Sequence, residues 1–296
     1  MTGAEDILKL KQEQNALILA HNYQLPEIQE VADIVGDSLE LAITAADAEE
    51  PLLIVCGVRF MAETAKLLSP DKTVLIPVLD AGCPLADFLT PEMIREAQEQ
   101  HPDAAVVVYV NSSVEVKAAA DITCTSSNAA AVVRSLSEET ILFGPDANLA
   151  SYVQQQVPEK RIIPLPAEGH CYVHTAFTKE QIREAKEKGW RVVCHPECLP
   201  AIQAESDLVT STGGMVRHAC DCEEWFVCTE REMGYRLQTL YPDLIFHVDS
   251  GAVCDDMKKT KAADLLRSLQ EGVYEITINP DIALPARKAV ERMLSL

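Results

Sequence analysis

Short apolar runs set between polar turns recur along this chain at a fixed interval, and that rhythm predicts most of its elements. Residues 17–20, 105–108 and 192–194 are continuously apolar rather than alternating, the pattern of strands buried on both faces. A charged amphipathic helical pattern precedes each, at 5–14, 91–100 and 179–188. Two of these carry start signals: Thr90 before Pro91, and Thr178 with Gln181 in a capping box. A polar turn, a helical pattern and a second brief strand follow, the last at Asp33, Asp121 and Asp207. Third strands are expected at 52–55, 141–143 and 225–228, and fourth strands at 73–76, 161–163 and 244–246. Pro77 and Pro164 lack the N–H of a central ladder, so the fourth strands end there or lie at an edge. A tail without counterpart, with helices at 256–270 and 284–294 and a strand at 274–278, is expected to pack on the first copy.

The copies align without gaps over their first part. Adding 88 and then 86 carries Ile18 onto Val106 and Val192, Asp33 onto Asp121 and Asp207, and Ser38 onto Ser126 and Thr212. Adding 88 to Cys83 gives Cys171, and Cys254 follows 83 residues later. A period this long suits a small α/β module rather than a solenoid repeat. The expected fold class is α/β: three homologous α/β/α domains with small parallel sheets around a pseudo-threefold axis. The first spans 1–86 joined by the C-terminal segment 256–296, the second 87–174 and the third 175–255.

Composition narrows the function more than the fold. A formal net charge of -21 argues against nucleic acid or an anionic membrane as partner. The first eleven residues are charged and helical in pattern, with no apolar signal core, and no run approaches about 18 apolar residues. Cytoplasmic localisation is expected, and ten cysteines then read as reduced thiols, metal ligands or catalytic groups rather than a disulfide scaffold.

In parallel sheets ligands bind beyond the carboxyl ends of the strands, and the repeat gathers its unusual residues there. After strand one lie His21, Tyr109 and His195, then Tyr23, Asn111 and Glu197. After strand two come Ser38, Ser126 and Thr212, read as helix N-caps and as a place for small polyanions. After strand four come the three cysteines. Thiolates converging from three domains can hold one metal centre. Zinc with three cysteines usually takes a fourth protein ligand, and a [4Fe–4S] cluster usually takes four thiolates; three would leave one iron open as a Lewis acid. Packing of three small apolar residues is the competing reading. Glu197 is a candidate general base, provided burial raises its pKa toward working pH. His21, His195, Tyr23 and Tyr109 are candidate proton carriers or donors, with aromatic and core packing as the plainer alternative. Cys56, Cys124, Cys194, Cys198 and Cys228 read as core or turn residues, and Cys220 with Cys222 as a pair without matching partners.

Taken together, HNYQ at His21, GDSLELA at Gly36, GVRFMAE at Gly57, CPLA at Cys83, YVNSS at Tyr109, CTSSNA at Cys124, FGPDANL at Phe143, GHCYVH at Gly169, HPEC at His195, STGGM at Ser211 and CDDMK at Cys254 resemble the quinolinate synthase family, iron–sulfur enzymes of NAD biosynthesis. The resemblance implies three α/β/α domains and a [4Fe–4S] cluster on Cys83, Cys171 and Cys254. It implies a condensation of iminoaspartate with dihydroxyacetone phosphate to quinolinate, with loss of phosphate and two waters. It also implies that His21, Tyr23, Ser38, Tyr109, Asn111, Ser126, His195, Glu197 and Thr212 line the cavity, with His174 near the cluster. L-aspartate oxidase is the implied supplier of the imine, and domain closure the implied means of excluding water. The C-terminal cysteine cluster of some family members is absent, which leaves redox regulation by that route without support. An open-iron hydro-lyase of another substrate and a cluster-bearing sensor are the alternatives. Radical chemistry is disfavoured by the missing C-x3-C-x2-C run.

Overall fold

A computed structural model of the chain describes residues 3–296. Twelve strands form three four-stranded sheets, every ladder parallel. The first sheet contains β1 (Ala16–His21), β2 (Ile34–Gly36), β3 (Leu52–Cys56) and β4 (Thr73–Leu75). The second contains β5 (Ala105–Tyr109), β6 (Ile122–Cys124), β7 (Thr140–Gly144) and β8 (Arg161–Pro164). The third contains β9 (Arg191–Cys194), β10 (Leu208–Val209), β11 (Glu224–Cys228) and β12 (Ile245–Val248). All three share one order, with the second strand outermost, then the first, third and fourth. The fourth strands are therefore edges, and Pro164 ends β8 as its missing N–H requires.

Register repeats as faithfully as order. Leu19 faces Ile34, Val107 faces Ile122, and Val193 faces Leu208, at the sequence offsets of 88 and 86. The repeated aspartate fixes it. Asp33 donates its N–H to the carbonyl of Ile18 and accepts the N–H of Ile18 on its carboxylate at 2.8 Å. Asp121 does the same to Val106 and Asp207 to Val192. One side chain thus closes both backbone groups of its neighbour at the strand entrance, where a slip of one residue would expose a buried face.

Helices follow in chain order: α1 (Gly3–Glu13), α2 (Pro26–Gln29), α3 (Ser38–Asp47), α4 (Arg59–Leu68), α5 (Pro91–Gln100), α6 (Val114–Ala118), α7 (Ala129–Ser135), α8 (Ala147–Gln156), α9 (Lys179–Glu187), α10 (Pro200–Gln203), α11 (Thr212–His218), α12 (Glu232–Leu240), α13 (Ala262–Glu271) and α14 (Pro280–Leu294). Thr90 caps α5, and Thr178 with Gln181 forms the expected capping box of α9. Alternate strand residues serve different cores, which explains the unbroken apolar runs. Leu19, Val107 and Val193 enter one core common to all three copies, while Ile18, Val106 and Val192 enter three local ones.

The tail departs from expectation in three ways. Residues 256–261 are turn rather than helix, because the backbone here closes the turn that carries Cys254. The expected strand at 274–278 is a single antiparallel bridge from Glu275 to Leu75, with Tyr274 and Ile276 bonding alongside β4. The tail also divides. In α13, Leu265 and Leu269 pack with Ile7 of α1 in the first copy, whereas α14 lies on the second, where its Ala289 carbonyl accepts from Thr123 and its Arg292 donates to Asp121 O.

Candidate functional site

The carboxyl ends of the three sheets meet around a cavity of about 70 Å³. All twelve residues singled out from the sequence line it: His21, Tyr23, Ser38, Tyr109, Asn111, Ser126, His195, Glu197, Thr212, Cys83, Cys171 and Cys254.

One correction concerns the helix starts. Ser38 and Thr212 are the first residues of α3 and α11, not their caps; Asp37 and Ser211 hold the cap positions and accept from Glu40 N and Gly214 N. Ser126 lies in a turn before α7, whose cap position is Asn128. In two copies a stronger capping side chain directly precedes the repeated hydroxyl, and in the other a Thr125–Asn128 turn takes its place. The hydroxyls are thereby left for the cavity.

Glu197 is 3 % exposed and accepts two hydrogen bonds, from Tyr109 Oη at 2.7 Å and from His174 Nδ1 at 2.9 Å. Burial pushes its carboxyl up, but the His174 and His195 imidazoles and the two donors outweigh that and bring it down to about 2. The expectation of a carboxyl tuned upward is therefore corrected: Glu197 is an ionised acceptor. The other His174 nitrogen, Nε2, lies 2.8 Å from Thr229 Oγ1, which lies 2.5 Å from Tyr23 Oη. A continuous chain results, from Tyr109 through Glu197, His174 and Thr229 to Tyr23, drawing on all three copies.

The two other histidines share a backbone device. The N–H two residues on, Tyr23 N or Glu197 N, donates to Nδ1 of His21 or His195 at 3.2 and 3.3 Å. An Nδ1 that accepts leaves the proton on Nε2, so both neutral rings present a donor at that atom. Burial drives both pKa values down to about 3. Nε2 of His195 meets Ser126 Oγ at 3.1 Å. Asn111 Oδ1 is buried without a partner, the mark of an acceptor awaiting a ligand.

Each cysteine opens a matched helical turn. The carbonyls of Cys83, Cys171 and Cys254 accept from the fourth residue on, Asp87, Thr175 and Lys258. Backbone N–H groups of Leu85 and Ala86, of Val173 and His174, and of Met257 point at the respective sulfurs. Burial pushes all three thiols up, and repulsion adds to it, from Cys254 and Glu197 at Cys83, from Glu197 and Cys83 at Cys171, and from Glu230 and Asp256 at Cys254, so without a counter-cation they stay protonated. A metal centre with several positive charges would supply that counter-charge, and the N–H groups beside the sulfurs would hydrogen-bond to the thiolates. The residues present therefore fit a metal cofactor. Sγ of Cys171, a His174 nitrogen and a Glu197 oxygen also lie within 4.8 Å of one another, a set that could hold a single ion.

Sequence reasoning missed Thr229 and the Glu230–Lys258 pair. Thr229 is fully buried directly after β11, and the rule that strand ends carry function would have found it. Lys258 Nζ bonds Glu230 Oε1 at 2.8 Å and Tyr23 O at 2.5 Å, fastening the Tyr23 loop to the Cys254 turn. Cys220 and Cys222 do not line the cavity.

The model of the family described as Quinolinate synthetase A protein matches residues 5–295. The chain belongs to that family. It is 49% identical over 299 residues to a protein of Pyrococcus horikoshii named Quinolinate synthase, covering 100% of this chain and 99% of that one. Proteins of the same name from Pyrococcus furiosus and Clostridium kluyveri are 51% and 44% identical, over 99% and 98% of this chain and 97% of each relative. The name is that of an enzyme, in accord with a cavity walled by proton-carrying groups. Among the described residues no helix is long and apolar enough to cross a membrane.

Proposed function

We propose that the chain is a quinolinate synthase of NAD biosynthesis, joining iminoaspartate to dihydroxyacetone phosphate with loss of phosphate and two waters. The observation that carries this reading is the Tyr109–Glu197–His174–Thr229–Tyr23 chain beside three matched cysteine turns in one cavity. Cys83, Cys171 and Cys254 would hold a [4Fe–4S] cluster, whose open iron supplies Lewis-acid chemistry at a carbonyl or a leaving hydroxyl. Ionised Glu197 keeps His174 Nδ1–H and the Tyr109 hydroxyl as donors, each bond contributing roughly 1.5–3 kcal/mol. His174 Nε2 is then the atom that takes a proton during isomerisation and ring closure, and Thr229 Oγ1 carries it to or from Tyr23 Oη. Nε2–H of His21 and of His195 donate to substrate oxygens without bringing charge. Ser38, Ser126, Thr212 and Asn111 bind carboxylate and phosphate oxygens.

The three modules are taken as 1–86, 87–174 and 175–255, with the tail 256–296 shared between the first, through α13, and the second, through α14. The substrate imine comes from an oxidase such as L-aspartate oxidase. Ten cysteines free of disulfides suit the reducing cytoplasm.

The test is an anaerobic assay of the iron- and sulfide-loaded protein with both substrates. Quinolinate formation is expected. Turnover of a hydroxy acid without need of dihydroxyacetone phosphate would replace this reading with a hydro-lyase, and metabolite binding without turnover would replace it with a sensor.

A further inference from the structure

A second chamber, of about 410 Å³ and open to solvent on one side, lies directly outside the hydroxyl-bearing wall of the central cavity. Ser38, Ser126 and Thr212 line the inner cavity, and the next residue of each copy, Leu39, Ser127 and Gly213, lines the outer chamber. Asp37 borders both. One residue's thickness of chain, at three equivalent places, therefore separates the two.

Its charged groups are arranged unequally. Asp37 spends an oxygen on the N–H groups of Leu39 and Glu40, and its other oxygen lies against Gly213. Glu40 folds over Gly36. Two guanidiniums also line the chamber, Arg217 and Arg236; neither makes a close ion pair among the described residues, although the Glu40 carboxylate attracts both and Asp37 shares the space over Gly213 with Arg217. Arg236 donates Nη2 to Val35 O at 2.9 Å, while its buried Nε has no partner. Asn22, 1 % exposed, donates Nδ2 to Thr212 Oγ1, and its Oδ1 is an acceptor that an anion does not complete. An unpaired buried guanidinium N–H costs stability unless an acceptor completes it, and an anion supplies one.

We propose that this chamber is an anteroom that captures small dianions, phosphate monoesters or dicarboxylates, on Arg217 and Arg236 before they pass between the three helix starts into the cavity. The proposal rests on the function argued above, whose two substrates are both dianions. A chain of net charge -21 repels such molecules at long range, and the two guanidiniums offset Asp37 and Glu40 so that this mouth is formally neutral. The repeat supplies an internal control. Arg217 falls at the position of Ile43 and Ala131 in the other copies, and Ile43, 45% exposed, lines the same chamber without charge.

The experiment uses the cluster-loaded protein and two readouts: steady-state kinetics, and calorimetry with inorganic phosphate and with succinate as probes. Arg217→Ala is expected to raise KM for dihydroxyacetone phosphate about tenfold, to weaken phosphate binding in proportion, to shift kcat by less than about twofold, and to flatten the salt dependence of kcat/KM. Adding Ile43→Arg to that variant is expected to restore KM, which a merely structural loss on α11 would not permit. Loss of phosphate but not succinate binding assigns the anteroom to the phosphate substrate, and the converse to the dicarboxylate. Unchanged KM, salt dependence and calorimetry in Arg217→Ala and Arg236→Gln would overturn the proposal. If the wild-type protein forms no quinolinate, the functional reading fails on its own, and calorimetry still decides the anteroom.

Discussion

The two ends of the central cavity treat the threefold repeat differently. At the cysteine end the copies agree in detail: each cysteine carbonyl accepts from the fourth residue on, and each sulfur faces backbone N–H groups. At the hydroxyl end they diverge. Asp37, Asn128 and Ser211 stand at the three cap positions, and of the residues lining the wall only Ser126 meets a histidine. On the proposed function, symmetry persists where three equal donors would hold one compact centre, and it is abandoned where unlike groups of an asymmetric substrate would have to be told apart. Between the ends, the repeat places His21, Tyr109 and His195 at one position and Tyr23, Asn111 and Glu197 at the next, so that one backbone geometry presents different chemistry.

The largest effect should come from breaking the symmetric end. Replacing Cys83, Cys171 or Cys254 with Ala is expected to abolish iron and sulfide binding, whereas Cys220→Ala and Cys222→Ala retain both, as anaerobic metal analysis would report. Cluster loss confined to the latter pair would refute the assignment. Next, Glu197→Gln should keep the cluster and lower quinolinate formation by about 10²–10⁴, since the amide cannot be an ionised acceptor for both His174 and Tyr109. Wild-type turnover in that variant would remove Glu197 from the chemistry.

Legibility followed the same divide. The sheets could be read because continuous apolar runs and a fixed offset speak for strands buried on both faces, and Asp33, Asp121 and Asp207 marked the register without their bonds being foreseen. Residues gathered in the cavity could be read because strand order puts every carboxyl end on one side. What could not be read is set by contacts between copies. The low pKa of Glu197 depends on His174, 23 residues away, and Thr229 gains its place only by lying between His174 and Tyr23. In the tail, propensity at 256–261 favours helix, and the need to close the Cys254 turn overrides it.

A smaller effect concerns acid. His21 and His195 are held near pKa 3 against 6.5 for the free side chain, chiefly by burial. Their folded-state pKa values lie below the unfolded ones, so their contribution is complete above pH 6.5 and is lost as pH falls toward 3. Each unit of that window is about 1.4 kcal/mol per histidine at most. Thermal midpoints measured from pH 7 to pH 4 should fall accordingly, and a flat profile would contradict two neutral buried rings.

The smallest expected change separates repeat architecture from chemistry at Lys117. This lysine is fully buried in the second copy, and burial lowers its pKa to about 8, features that would ordinarily suggest a catalytic amine. Its repeat equivalents are Gln29 and Gln203, which brace the loop after strand one by donating to Asn22 O and Gln24 O, and to Pro196 O and Cys198 O. Lys117 does the same for Ser112 O at 2.9 Å and also reaches Phe60 O, in α4 of the first copy, at 3.3 Å. The lysine is thus a brace with a charge, and Lys117→Gln copies what two repeats already do. Because the folded pKa lies below the free value of 10.5, the unfolded chain holds more protons between about pH 8 and 10.5, and stability rises with pH across that window. The glutamine variant should fold with stability within about 1 kcal/mol or higher at pH 7, lack that alkaline rise, and keep its turnover, whereas Lys117→Met strands two carbonyls and should cost about 1–3 kcal/mol. Loss of turnover in a stable Lys117→Gln protein would make the amine part of the chemistry instead.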